Sequence, residues 1–482
     1  MCCRVCRRGN VGNSERLTIL FAVLPETGHY TGTFRLARAL RTRGHRIVYL
    51  GFADFESLVK EQGFEFVPFA EELLSRGYMS EFVACQADTP GLVARLRRRP
   101  ADEKLFREYL HLINDGNLDA CLLSCRPDLL VCDAFVWYIA LRALKSGIPT
   151  ISITITISLY GNTRIPPIIS SIFPRKAWWY RFQVAGIWTW LRIKFFFTKR
   201  LASILFGEFR YPSRMHHLID EFASIASKSG YRLIENKSYW FGEIGPRLAL
   251  PEIVLCPEAF QLPGCPATHR RYMGDFVDVD RYEEPLPPGS LDETKPLVVC
   301  SLGTAAYFYP HAGRFFRTVF AASQLRPDWQ FVLYLGNFRG KETFAEPSSN
   351  LFVCKRLPQL TLLRKAKAMV THGGTNSIME CVQFGVPMVI MPAIRDQPGN
   401  ATRAVYHDLA LPASMAKVTP EQLVALIARV MEDRRIRQGL ARMKQAIASE
   451  NGLERCVQFV EEQMNKGKPE QIRSPVSGVR TI

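Results

Sequence analysis

Twice along this chain an apolar run ends in a turn, gives way to a helix and is followed by another apolar run, and few architectures accommodate that alternation. The first pass opens with an apolar strand from Leu17 to Leu24, an amphipathic helix from Thr33 to Arg43 stopped by Gly44, and a second strand from His45 to Phe52. Another unit starts at Asp128 to Asp133 and returns through Gly147-Ile148-Pro149. The strand after it, Thr150 to Ser158, alternates Ser or Thr with Ile, so one of its faces carries a row of hydroxyls. A stretch from Pro263 to Pro288, rich in Pro, Gly, Asp and Glu, reads as a connector. Beyond it the pattern restarts, with strands predicted at Leu297 to Ser301, Gln330 to Leu335, Leu351 to Cys354, Ala368 to Thr371 and Pro387 to Met391. Two successive doubly wound α/β halves predict two Rossmann-like domains facing across a cleft. The expected boundaries are a flexible leader at 1–14, an N-terminal domain at 15–285, a C-terminal domain at 286–446, a helix at 447–467 packing back on the N-terminal domain, and a disordered tail at 468–482.

Composition narrows the setting. With 482 residues and 47% hydrophobic content, the chain has material for two cores. No segment reaches the roughly 18 uninterrupted apolar residues that span a bilayer. The basic N-terminus, MCCRVCRRGNVGNSERL, lacks the apolar centre of a signal peptide. Thirteen cysteines follow no framework spacing, which favours reduced thiols and a cytoplasmic protein. Cys3 and Cys6 form a CxxC with no second pair or histidines beside it, so no zinc site is expected; with Cys2 they lie in a leader that is open to acylation or simply frayed. The net charge of +17 is mixed with bulky aliphatics and accompanies no recognition motif, so nucleic acid is not the expected partner.

The stretch MVTHGGTNSIMECVQFGVPMVIMPAIRDQPGNA, from Met369 to Ala401, carries the most chemistry. An apolar strand leads into Thr371 and His372, a flexible Gly373-Gly374, and Thr375-Asn376-Ser377 opening a helix that reaches Phe384 before Gly385. Such a turn aims unpaired backbone N–H groups and the positive end of a helix dipole at one point, which suits a phosphate. Asn376 and Ser377 can cap that helix or bond phosphate oxygens, and His372 can donate a further bond. Glu380, one turn beyond the cap, can accept both hydroxyls of a ribose. After Gly385-Val386-Pro387 and a second strand, Asp396 and Gln397 place a carboxylate beside an amide, a pair suited to reading sugar hydroxyls. A plain βαβ crossover with tight glycine turns would show the His-Gly-Gly but not this order of groups.

Two further side chains stand where ligands gather in open α/β sheets, at the carboxyl ends of strands. His29 follows strand one in LPETGHYTG, just before the helix, and Asp133 ends the strand in LLVCDAFVW. A neutral imidazole that takes a hydroxyl proton, with a carboxylate fixing its tautomer, is a general-base dyad worth about 10²–10⁴ in rate. Each residue taken alone also suits a helix cap, Asp133 for a helix starting near Phe135.

The segment from Leu357-Pro358-Gln359 through Asp396-Gln397 resembles the donor-binding signature of family 1 glycosyltransferases, which move a sugar from a UDP-sugar to small acceptors. The resemblance implies a GT-B architecture and an inverting, metal-independent hexosyltransferase. By it, His372 with the Gly374, Asn376 and Ser377 turn holds the diphosphate, Glu380 the ribose, Asp396 and Gln397 the sugar hydroxyls, Gln359 is a further donor-binding residue, and His29 with Asp133 carries the chemistry. Ser301-Leu302-Gly303-Thr304 resembles a second phosphate-facing loop, placing Gly303 and Thr304 beside the donor; an ordinary strand-to-helix turn explains it as well. Three positions depart from the pattern. Arg356 stands where plant members carry a Trp stacked on uracil, and its flat guanidinium can stack in its place. Thr375 replaces another plant Trp, and the Gln359 to His372 spacing is shorter, both pointing to a bacterial-type or other non-plant relative. Gly32 stands where many members have proline, three residues past the histidine. Asp278-Val279-Asp280 resembles the metal-binding DxD of other transferases, but it falls in the connector and reads as solvated linker.

The acceptor is less defined. From Gly161 to Met215 there are ten Lys or Arg against one acid, Glu208, with four of the seven tryptophans. RKAWWYRFQVAGIWTWLRIKFFFTKR has the composition of an amphipathic element at a lipid interface, and Arg95, Arg97, Arg98 and Arg99 add a second basic cluster. Aromatic residues buried against the domain with arginines reaching to water fit equally. The resemblance assigns this region to the acceptor pocket, implying a lipophilic acceptor such as a terpenoid, carotenoid, sterol or polyketide, and a cytoplasmic enzyme with possible peripheral membrane contact through 161–215. A nucleotide-sugar epimerase of the same fold and a non-catalytic sugar-nucleotide or lipid-binding protein are the competing readings.

Overall fold

A computed structural model describes residues 16–78, 104–105, 108–113, 116–157, 165–172, 178–206, 222–234, 247–264, 270–336, 338 and 347–465. The leader 1–14, the Arg95 to Arg99 cluster, Glu208 and the tail 468–482 lie outside these residues. The strands are β1 (Thr18–Ala22), β2 (Arg46–Gly51), β3 (Glu65–Pro68), β4 (Leu129–Asp133), β5 (Thr150–Thr154), β6 (Leu233–Ile234), β7 (Arg247–Leu248), β8 (Glu252–Val254), β9 (Arg270–Tyr272), β10 (Leu297–Ser301), β11 (Gln330–Tyr334), β12 (Leu351–Cys354), β13 (Ala366–Thr371), β14 (Met388–Ile390) and β15 (Ala410–Pro412). Seven form one sheet in the order β3-β2-β1-β4-β5-β8-β9, six form another in the order β12-β11-β10-β13-β14-β15, and every neighbouring pair in both is parallel. β6 and β7 make a separate antiparallel pair.

Parallel sheets carry helices on both faces, so their central strands read as continuous apolar runs. Leu129-Leu130-Val131-Cys132 of β4 and Leu297-Val298-Val299-Cys300 of β10 are buried throughout for that reason. In each sheet the strand order reverses once at the centre, between β1 and β4 and between β10 and β13. At such a switch point the loops leaving two neighbouring strands part in opposite directions and open a crevice. His29 and Asp133 follow β1 and β4; Gly303 and His372 follow β10 and β13. All four therefore stand at crevices fixed by topology.

Three expectations need correction. The first helix spans Thr27–Thr42, so His29 lies in its first turn and not ahead of it. The Pro263 to Pro288 connector contains β9, an edge strand of the first sheet, so the chain leaves that sheet only after Tyr272. Asp278 is not solvated linker: it is 3% exposed and accepts bonds from Arg38 Nε at 3.2 Å and Nη2 at 2.9 Å.

The last helix, Gly452–Asn465, returns to the first sheet and packs on the first helix and β9. Cys456, Val457, Phe459 and Val460 form its buried side, each large side chain contributing about 1.5–3 kcal/mol. Its entry needs glycine, because a Cβ at Gly452 would lie 2.9 Å from the backbone nitrogen of Gly274. Asp275 accepts from Leu453 N at 2.9 Å, and Arg43 pairs with Glu454 at 2.5 Å.

Candidate active site

Asp133 is fully buried and does two jobs at once. Its Oδ1 accepts from Phe135 N at 3.0 Å, capping the short Ala134–Val136 turn, while Oδ2 accepts from His29 Nδ1 at 2.5 Å and from Leu24 N at 3.2 Å. The cap and the dyad, opposed in the sequence, are one arrangement. A carboxylate held by two backbone N–H groups cannot swing away, so the Nδ1–H it accepts fixes the imidazole with Nε2 as the basic nitrogen. No described residue hydrogen-bonds Nε2. Phe135 packs edge-on against the ring, 5.6 Å between centroids. Burial lowers the His29 pKa, but the charge and hydrogen bond of Asp133 outweigh it, with Glu26 adding and Arg395 opposing, so the group titrates above its ordinary 6.5.

Across the cleft, His372 fills the notch between two glycines. A Cβ at Gly303 would lie 2.7 Å from its Cε1 and one at Gly374 would lie 2.7 Å from its Nε2. Gly303 also has a φ of +70°, and its N–H donates to Ser301 Oγ at 3.1 Å. Thr304 follows, half-buried, at the start of the loop. Burial pushes the His372 imidazole down to about 4, so near neutral pH it is an uncharged donor. Gly374, not Asn376 or Ser377, is the N-cap of the Thr375–Phe384 helix, and no side chain caps it. Its first N–H groups thus remain directed into the cleft.

The remaining donor-side residues have partners the sequence did not disclose. Asn376 Nδ2 reaches the other domain, donating to Gly28 O at 2.8 Å and Thr31 Oγ1 at 3.2 Å. Ser377 Oγ accepts from Gln359 Nε2 at 3.2 Å. Gln359 also donates to Glu380, whose other oxygen accepts from Arg281 Nη1 at 2.5 Å. Arg281, from the connector, is held in turn by Glu283 at 2.9 Å, and Glu283 accepts from Leu360 N and Thr361 N, each at 3.0 Å. Arg356 is 68% exposed and paired with Glu284 at 2.5 Å, a bridge that the stacking expectation did not include. Asp396 receives Thr156, Asn400 Nδ2 at 2.9 Å and Thr375 at 3.5 Å, all on Oδ2, which leaves Oδ1 available. Gln397 is buried, its carbonyl accepting from Ala393 N at 2.9 Å and Ile394 N at 3.1 Å while Nε2 donates to Tyr309 Oη at 2.9 Å; its role here is to shape the loop that presents Asp396.

The dyad and the donor turn are brought together by contacts between the domains. Besides Asn376, Arg395 Nη1 pairs with Glu26 at 2.8 Å, and Thr156, on the hydroxyl row after β5, donates to Asp396. Arg395 has a φ of +58°, a conformation that non-glycine residues hold only where their surroundings demand it. Glu26, Arg281, Thr156 and Arg395 were not singled out in the sequence. Only Thr156 had a signal there, the Ser/Thr alternation. Among the described residues no group of three or more His, Cys, Asp or Glu is arranged to hold a metal ion.

A His–Asp pair on one Rossmann-like domain thus faces the uncapped N-terminus of a helix on a second, and the comparisons with known proteins place the chain among nucleotide-sugar-dependent glycosyltransferases. Residues 295–470 match the family described as UDP-glucoronosyl and UDP-glucosyl transferase. The chain is 22% identical over 444 residues to the NDP-glycosyltransferase YjiC of Bacillus subtilis (strain 168), covering 92% of this chain and 96% of that one. It is 24% identical over 462 residues to the demethyllactenocin mycarosyltransferase of Streptomyces fradiae, covering 92% and 86%. In fold it is similar to the solved glycotransferase of kitacinnamycin, with a TM-score of 0.62 and 23% identity over 94% of this chain and all of that one.

Proposed function

We propose that the protein transfers a hexose, glucose by preference, from a UDP-sugar to a hydroxyl of a lipophilic small molecule with inversion at the anomeric carbon. The observation that carries this reading is His29, tethered through Nδ1 to a buried carboxylate and presenting Nε2 at the crevice opposite the donor turn. Nε2 takes the acceptor hydroxyl proton as the oxygen forms its bond to the anomeric carbon. The bond from that carbon to the β-phosphate oxygen breaks on the far side, and its electron pair leaves with UDP. The N–H groups opening the Thr375–Phe384 helix and the neutral His372 stabilise the departing diphosphate without a metal ion. Glu380 and Gln359, held by Arg281 and Ser377, serve the ribose; Oδ1 of Asp396 serves the sugar hydroxyls. Replacement of His29 by Ala is expected to lower kcat by about 10²–10⁴. UDP affinity, measured by calorimetry, should stay within about twofold. Turnover near wild type with a competent acceptor would remove His29 from the chemistry. The enzyme would work in the cytoplasm, at or near a membrane that holds its acceptor; among the described residues no helix is long and apolar enough to cross one.

A further inference from the structure

The helix Tyr180–Phe206 has a buried apolar side and an exposed one. Val184, Trp188 and Leu191 are buried, and Trp188 Nε1 donates to Ile165 O at 2.9 Å. On the opposite side Phe182 is 69% exposed, Trp190 55%, Ile193 50% and Phe197 62%, with Trp178 at 78% just before the helix. At 3.6 residues per turn the four helical positions fall within an arc of about 80°, turned about 170° from the buried seam. They form a stripe, not scattered surface apolars. The ring of Trp178 packs on Phe182 at 5.7 Å, and Lys194 Nζ sits 4.9 Å above the Trp190 ring.

Charge on the same helix chooses the occupant. It carries Arg181, Arg192, Lys194, Lys199 and Arg200 and no acidic residue. A second copy of this chain would set like charges on the two helices against each other, whereas an anionic bilayer suits an apolar stripe with Lys194 beside it on a helix without acids, and Trp beside Lys is the pairing that settles at headgroup level. We propose that the outward face of Tyr180–Phe206 docks the enzyme on anionic lipid surfaces. The seam behind it leads to the site: Ile168 O accepts from Gly399 N at 2.6 Å and Ser170 O from Thr402 Oγ1 at 3.3 Å, both on the helix Gln397–Tyr406 that follows Asp396. The docked helix therefore lies one packed segment from the helix that follows Asp396. The inference extends the proposed function, but its test is independent of transfer.

Full-length protein is sedimented with sucrose-loaded vesicles of phosphatidylcholine alone or of phosphatidylcholine with phosphatidylserine. It should partition onto the anionic vesicles, with affinity gained by about fivefold per engaged basic residue and lost as salt is raised. The double variant Phe182→Asp/Trp190→Asp should bind at least about tenfold more weakly while its UDP affinity, read by calorimetry, is unchanged. Recovery of the wild-type protein in the supernatant with both vesicle types overturns the proposal. So does undiminished binding by the double variant, or sedimentation velocity showing a lipid-free dimer that this variant abolishes. A protein that docks but has no transferase activity would leave this inference standing and remove the other.

Discussion

A histidine in an apolar crevice is a weak base unless something opposes the cost of charging it, and in this protein the opposing group is Asp133. Because burial alone depresses the His29 pKa and Asp133 reverses the sign, Asp133→Asn should have two separable effects. The rate plateau should fall by about 10²–10⁴, since the tautomer is no longer fixed. The acid limb of the pH profile of kcat/KM, which reports the free enzyme's base, should move to lower pH, because the imidazole is then left with its desolvation. A profile whose acid limb stays in place or moves upward would contradict this. The same coupling contributes stability that is complete below the ordinary histidine pKa of 6.5 and is lost as pH rises through the higher folded value. His372 is the opposite case. Held neutral down to about 4, it contributes stability at neutral pH that is lost as the medium is acidified from 6.5 towards 4.

At the level of elements, the donor side depends on two strand ends whose turns share one imidazole. Gly303 lies in the opening of the loop after β10 with a left-handed φ, and any Cβ there would strike the His372 ring. Gly303→Ala should therefore cost about 1–2 kcal/mol from the backbone alone and weaken UDP binding by about tenfold, as calorimetry against wild type would show. Unchanged affinity would mean that His372 does not meet the diphosphate. Gly32 also acquires a reason. Its Cβ would sit 2.7 Å from Ile155 Cγ2, and it lies inside the first helix, so the proline that the family resemblance led one to expect there has no room on this backbone. The strands at both switch points were legible because they are long apolar runs bounded by Gly and Pro. The strands β3, β8, β9 and β15, at or next to the sheet edges, span only three or four residues and sit in polar or proline-rich sequence, where no alternation develops. The positions of His29, Asp133, Gly303 and His372 were legible for the same reason as the central strands, since topology places them just after strand ends. Their partners were not, since Arg281 meets Glu380 and Arg395 meets Glu26 from more than 90 residues away in sequence, which no local pattern encodes.

Among the described residues the two halves are joined by specific bonds, and on the proposed mechanism catalysis depends on them because the base and the leaving-group site belong to different halves. The Glu26–Arg395 pair is about one-third exposed, so its worth to stability is small, about 0–1 kcal/mol. Its worth to alignment is the larger effect. Charge reversal of either partner, Glu26→Arg or Arg395→Glu, should lower kcat/KM by about tenfold, and combining the two should restore most of it. No recovery in the double variant would deny the pair any role in holding the halves. The returning helix Gly452–Asn465 has a further consequence for anyone wishing to graft a new donor preference onto this acceptor domain. Although the donor-binding half is continuous in space, the chain enters it after Tyr272 and leaves it before Gly452, so a single crossover between relatives would carry the wrong closing helix onto the first sheet. A working chimera needs two junctions, with Gly452 and the side chains behind it kept from the same parent as Gly274 and Arg43.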